Sequence, residues 1–251
     1  MREILSDLVA EEQSLDQFLQ GLHERDWKLP TMAPGWSIHD TISHLAFTEW
    51  AATDAINGSG PGTITLDELD EWTAQGVMEG RPKRYQEVIE WWRSGRAAVV
   101  DALSKKMPNE RIDWILAPMS AKAFATLRLM ETWAHGLDIK MALADRFTGE
   151  PEEDPLNDTP RLRHVAWLAH RMLPWSFEVA GEQYPDGGIR VELMGPNYAR
   201  WVYGPADADN VIKGIAGEWC RIAVHRLDVS ATNLKAEGDQ AEVALRVVRA
   251  Y

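Results

Sequence analysis

The chain contains a single cysteine, Cys220, in 251 residues. One thiol excludes an internal disulfide framework and any cysteine-rich zinc site. Basic residues are also scarce: 26 Lys and Arg stand against 39 Asp and Glu, a formal net charge of −13. Nucleic acid and anionic membrane surfaces both call for a basic face, so neither is an expected partner. No apolar run approaches the ~20 residues of a transmembrane helix. The N-terminus, Met1-Arg2-Glu3-Ile4-Leu5-Ser6-Asp7, lacks the apolar core of a signal peptide. These absences lead to the expectation of a cytoplasmic, soluble protein that handles small molecules as a monomer or homodimer.

What is present in quantity is apolar surface. At 45% apolar content, a chain of this length buries one large core or two modest ones. Its twelve tryptophans are expected mostly as core anchors, since indole joins a large apolar area to one polar handle. Trp36 and the pair Trp91-Trp92 are candidates for lining a pocket.

The first 145 or so residues read as helices. Ile4, Leu5, Leu8, Leu15, Phe18, Leu19 and Leu22 recur at helical spacing and predict a helix from Arg2 to about Glu24. After Pro30 and Pro34-Gly35, Ser37 with Asp40 three residues on forms a capping-box pattern. The helix it starts carries Ile38, Ile42, Leu45 and Ala46 on its core stripe. Leu66 to Met78 predicts another helix, and a longer one follows Arg81-Pro82 as far as Lys106. Leu127, Met130, Ala134, Leu137 and Met141 define the last of this set. Such segments on short connections suggest a four-helix bundle with an extra or broken helix.

From Thr148 to Pro160 the chain is acidic and proline-rich, which reads as a linker. Beyond it the pattern predicts a helix from Arg161 to Val179, and two strands, Ile189–Leu193 and Ala199–Tyr203, turning at Gly195-Pro196-Asn197. A helix through Ile212, Ile215, Trp219 and Ile222 and a last one from Asp239 to Val248 complete the reading. The expected organisation is a helical domain over 1–147 and a smaller α+β domain over 160–251.

Chemistry concentrates in two stretches. One is Pro34-Gly35-Trp36-Ser37-Ile38-His39-Asp40-Thr41-Ile42-Ser43-His44; the other is Glu131-Thr132-Trp133-Ala134-His135-Gly136-Leu137-Asp138. Glu131 and His135 are one helical turn apart and point the same way. With a third ligand from a facing helix they would form a set of two imidazoles and one carboxylate, which suits zinc or another first-row divalent metal. Periodicity offers a plainer alternative. Arg128, Glu131, Thr132, His135 and Asp138 share one face opposite the Leu/Met stripe, and such a face is commonly solvated, with Arg128 and Glu131 paired. His44 lies among Ser37, Thr41, Thr48, Ala51 and Ala55, small neighbours that fit either an inter-helix hydrogen bond or a bound ion.

The pairing of Gly35-Trp36-Ser37-x-x-Asp40-x-x-x-His44-Leu45-Ala46 with Glu131-x-Trp133-x-His135-x-x-Asp138 resembles the mycothiol-dependent maleylpyruvate isomerase family, within the DinB-like metal-dependent helical proteins. The segment Gly217-Glu218-Trp219-Cys220-Arg221-Ile222-Ala223-Val224-His225-Arg226, with Asn233-Leu234 and Gly238-Asp239, is similar to the C-terminal part of an actinobacterial metal-binding subgroup. The resemblance implies a DinB-like four-helix bundle followed by a sterol-carrier-like α+β domain. It implies a divalent metal, usually zinc, on His44, Glu131 and His135, with mycothiol as co-substrate. It also implies an arginine for a substrate carboxylate, here Arg226 or Arg221; a structural ion pair is the alternative for both.

Asp138 lies one turn beyond His135 and Asp40 one turn before His44. Either is placed to accept an imidazole N–H, and Asp40 serves the capping box as well. His23, His39 and His225 have no partner at ligand spacing, and His164 and His170 are six apart on a predicted helix. All five read as structural or surface residues, while Cys220 reads as a buried apolar residue.

The expected function is isomerisation of, or thiol transfer to, a small unsaturated or carbonyl substrate. The alternatives are a thiol-independent metal enzyme catalysing elimination, cyclisation or hydrolysis, and a non-catalytic metal- or ligand-binding protein. Structural zinc usually has four protein ligands, and only three are found here.

Overall fold

Apolar residues at Ile4, Leu8, Leu15 and Leu19 bury one face of the first helix, α1 (Arg2–Gln20). In the computed structural model, which describes residues 1–146 and 156–250, this helix stops at Gln20 rather than near Glu24. Gly21 ends it, and a separate 3-10 turn over Glu24–Lys28 follows, opened by the Asp26 carboxylate accepting from the His23 backbone N–H at 2.9 Å.

Helix α2 (Ile38–Ile56) begins as the capping box predicts. Ser37 Oγ accepts from the Asp40 N–H at 3.2 Å and Asp40 Oδ2 accepts from the Ser37 N–H at 3.0 Å, satisfying two N-terminal donors reciprocally. Ile38, Ile42, Leu45 and Ala46 are all buried. Two glycines let neighbouring helices approach α2 closely. A Cβ on Gly80, at the end of α3 (Leu69–Gly80), would run into Ser43; one on Gly95, in α4 (Tyr85–Ser104), would meet Glu49 Cβ at 2.9 Å.

After α4 the chain makes a short antiparallel pair, β1 (Arg111–Ile112) and β2 (Met119–Ser120), which the apolar spacing does not announce. Ser120 then caps α5 (Ala121–Met141), its Oγ accepting from the Ala123 N–H at 3.2 Å. Helix α5 is buried on both its apolar and its polar sides, with Arg128, Thr132 and Asp138 covered as fully as Leu129 and Ile139.

The chain divides into two compact units, Met1–Leu156 and Asn157–Tyr251. Most of the expected linker, residues 147–155, lies outside the described residues. In the second unit the helix expected over Arg161–Val179 is two: α6 (Leu162–Arg171) and α7 (Leu173–Val179), which has proline in its first turn. Pro174 lacks the N–H that would continue the ladder of α6.

Strands β3 (Ile189–Met194) and β4 (Arg200–Tyr203) form the predicted hairpin, with Val191 opposite Tyr203. The helix expected through Ile212 and Ile215 is corrected. Asn210–Ile215 is strand β5, running parallel to β3 with Ile212 opposite Val191, and only from Ala216 does helix α8 (Ala216–Ala223) begin. Strand β6 (Lys235–Glu237) pairs antiparallel to β5, giving the order β4-β3-β5-β6, and α9 (Asp239–Val247) follows. Ile189, Val191, Leu193 and Ile212 turn inward from the sheet, and Phe177, Trp219 and Leu168 are buried in the same unit.

The architecture is therefore a mainly helical unit followed by a smaller α+β unit. Among the described residues no helix is long and apolar enough to cross a membrane.

Candidate metal centre

His44 lies near the middle of α2, and Glu131 and His135 lie one turn apart on α5. One ligand atom from each lies within 4.8 Å of the others. Glu131 Oε2 is 3.6 Å from His44 Nε2 and 3.7 Å from His135 Nε2, so both imidazoles turn the same nitrogen toward one carboxylate oxygen. These separations are longer than normal hydrogen bonds. Ligand atoms about 2.0–2.2 Å from one tetrahedral ion would stand roughly 3.4 Å apart. The donor set and its spacing therefore fit a small divalent metal.

The electrostatics agree with that fit. Burial pushes the His44 imidazole down to about 4, against the pull of Glu131, so the ring is neutral with a lone pair available near pH 7. Burial alone would raise the Glu131 carboxyl, but His44, His135 and Arg128 outweigh it and hold it down at about 2. A neutral His44 imidazole beside an ionised Glu131 carboxylate matches the protonation states that metal binding requires.

Asp138, fully buried, has Oδ2 at 3.1 Å from His135 Nδ1. A carboxylate there accepts the Nδ1–H and leaves the Nε2 lone pair facing Glu131, the arrangement common behind metal-bound imidazoles. Asp40 does not play this part for His44. Its Oδ2 accepts from Ser37, its Oδ1 accepts from Arg81 Nε at 3.2 Å, and among the described residues His44 Nδ1, which is buried, finds no hydrogen-bond partner.

The solvated-face alternative for α5 is overturned by burial. Arg128 does not pair with Glu131 through a hydrogen bond; its Nη2 donates to Glu49 Oε1 at 2.8 Å and to Thr48 Oγ1 at 3.0 Å, across to α2. The pocket role considered for Trp36 finds a setting here. Its ring centroid is 4.9 Å from that of His44 and 6.1 Å from that of His135, which are themselves 4.8 Å apart. Neither the Arg128–Glu49 pair nor the stacking of Trp36 was evident from spacing, although the position of Trp36 immediately before the N-cap was a usable signal. Trp92 is buried in the core, and Trp91 packs at its edge under Lys83.

The arginines expected to meet a substrate carboxylate lie in the second unit. Arg221, on α8, donates to Asp158 at 2.7 Å. Arg226 does not continue a helical stripe: α8 ends at Ala223, and Arg226 Nη1 donates to the Val224 carbonyl at 2.7 Å. Cys220 is buried, and burial holds its thiol well above the ordinary range. Among the other histidines, His39 Nε2 meets the Lys83 carbonyl at 3.0 Å and His170 Nε2 the Ile189 carbonyl at 2.9 Å.

Comparison with known proteins gives this site its context. The profile of the mycothiol maleylpyruvate isomerase N-terminal domain matches residues 8–140. The chain belongs to this family. The matched stretch contains His44, Glu131 and His135. Uncharacterized proteins from two strains of Mycobacterium tuberculosis are each 32% identical over 259 residues, covering 98% of this chain and 94% of theirs. Two crystal structures of mycothiol-dependent maleylpyruvate isomerase share the fold, with a TM-score of 0.59 over 94% of this chain and 92% of theirs, at 14% and 15% identity.

Proposed function

We propose that His44, Glu131 and His135 hold one divalent metal ion, zinc or a close substitute, and that this family member isomerises, or adds a low-molecular-weight thiol such as mycothiol to, a small unsaturated or carbonyl substrate. The observation that carries the reading is the convergence of both Nε2 atoms on Glu131 Oε2, with Asp138 behind His135. An ion bound there supplies Lewis acidity and favours the thiolate form of a thiol at neutral pH.

The residues themselves have separable tasks. Glu131 brings the negative charge that balances a cation in a largely buried place. Asp138 retains the proton on His135 Nδ1 and so fixes which nitrogen faces the ligand set. Three protein ligands leave room for small molecules, which favours catalysis over a purely structural metal. Family membership supports the thiol. The carboxylate-binding role of Arg226 and Arg221 belongs to the same proposal and is tested by neutralising each in turn.

The test is incubation of the zinc-loaded protein with mycothiol and a panel of cis-unsaturated oxo acids, followed by product analysis. A trans isomer or thiol adduct that requires both thiol and metal is the expected result. Product formed equally without thiol assigns the thiol-independent alternative, and no product from any substrate favours the binding protein.

A further inference from the structure

Trp36 stands at a corner of the site that the ligand set does not explain. Its ring forms a triangle with the two imidazoles, at 4.9 Å and 6.1 Å, and lies 26° from parallel to His135 and 43° from His44. The residue is half-buried, so it is not sealed inside the core.

The loop that carries it is pinned at its base. Thr31 N–H donates to the Trp36 carbonyl at 2.9 Å, Thr31 Oγ1 reaches the same oxygen at 3.2 Å, and Ile38 N–H donates to the Leu29 carbonyl at 3.0 Å. Pro30 and Ser37 form a bridge, and Gly35 makes the tight turn before the indole with φ of +79°. A loop tied in this way fixes the backbone from which the indole projects. An indole set against both imidazoles in a residue that is not sealed in the core can serve as a stacking surface.

We propose that Trp36 is the specificity wall of the site, selecting ligands whose carbon skeleton is flat and conjugated over flexible aliphatic ones of similar size. This deepens the metal-site reading and rests on it. The physical basis is that a planar π-system gains offset stacking on indole that a saturated chain does not. The selected class is therefore conjugated acids, enones or aryl-bearing thiols.

The experiment uses the full chain loaded with cobalt(II), whose visible spectrum reports ligand binding. Benzyl mercaptan and 1-hexanethiol, an aliphatic thiol of similar size, are titrated into the wild type, Trp36→Phe and Trp36→Leu, and metal content is measured for each. The expected result is unchanged cobalt stoichiometry in all three proteins. The wild type should favour benzyl mercaptan over 1-hexanethiol by a ratio that Trp36→Leu lowers roughly 3- to 10-fold and Trp36→Phe largely keeps.

An identical ratio in all three proteins overturns the proposal. So does loss of cobalt from Trp36→Leu, which would make the indole a packing residue for the histidines. If the wild type takes up no cobalt at all, the metal-site reading itself fails, an outcome told apart by the missing spectrum before any thiol is added.

Discussion

Arg128 on α5 and Glu49 on α2 form an ion pair with both side chains fully buried, Nη2 to Oε1 at 2.8 Å. The same two helices supply the candidate metal ligands, Arg128 one turn before Glu131. The pair therefore ties the two helices together close to the site. Breaking a buried pair from one side leaves an uncompensated charge, which costs about 3–5 kcal/mol. Glu49→Ala or Arg128→Ala should show such a loss in urea unfolding. Replacing both by apolar residues of similar volume, Arg128→Met with Glu49→Leu, should be less destabilising than either single change.

Asp138 gives a second expectation. Asp138→Ala removes the acceptor for His135 Nδ1–H and frees the ring to adopt the other tautomer. Metal affinity should fall about 10- to 100-fold by competition with a chelating dye. Asp138→Asn, which keeps an acceptor oxygen, should recover part of it. Equal affinity in all three proteins would remove Asp138 from the site.

Acid stability follows from Asp26. Its carboxyl is held far below the ordinary carboxylate range by the Arg146 guanidinium at 2.8 Å, against the opposing effect of burial, with the His23 N–H assisting. Because the folded value is depressed, this contribution is fully present above the unfolded pKa near 3.9. It is lost as pH falls from there through the folded value. Asp26→Asn should lower stability at pH 7 and flatten the decline below about pH 4, measured by denaturant unfolding across pH.

The cap of α2 positions His44 through the helix it starts. Ser37→Ala removes the oxygen that accepts from the Asp40 N–H. The expected cost is about 1 kcal/mol in a denaturant midpoint at unchanged slope.

The sequence spoke most clearly where local rules and tertiary packing agree. Ser37 and Asp40 at capping-box spacing start α2 where expected, and Ile38, Ile42 and Leu45 are buried as their spacing implies. The mixture of Ile212, Ile215, Trp219 and Ile222 misled because strand and helix meet at Ala216, and the four residues straddle the junction at intervals that imitate one helical stripe. Pairing of β5 with β3, which no local window contains, decides the matter. The polar side of α5 looked solvated because periodicity shows that a face is polar but not whether it is covered; Arg128 and Asp138 are buried because other residues supply their partners. Glu131 and His135 were readable as a pair through helical spacing. Their meeting with His44, which is far away in sequence, needed the resemblance to known proteins.

The central claim is that these three side chains hold one metal ion, and the most direct measurement is the metal content of the purified protein beside Glu131→Ala and His44→Ala. The account predicts about one zinc or similar divalent ion per chain in the wild type, lost from both variants while each remains folded by circular dichroism. A folded wild type that binds no divalent metal when supplied with it, or metal retained undiminished in both variants, would contradict it.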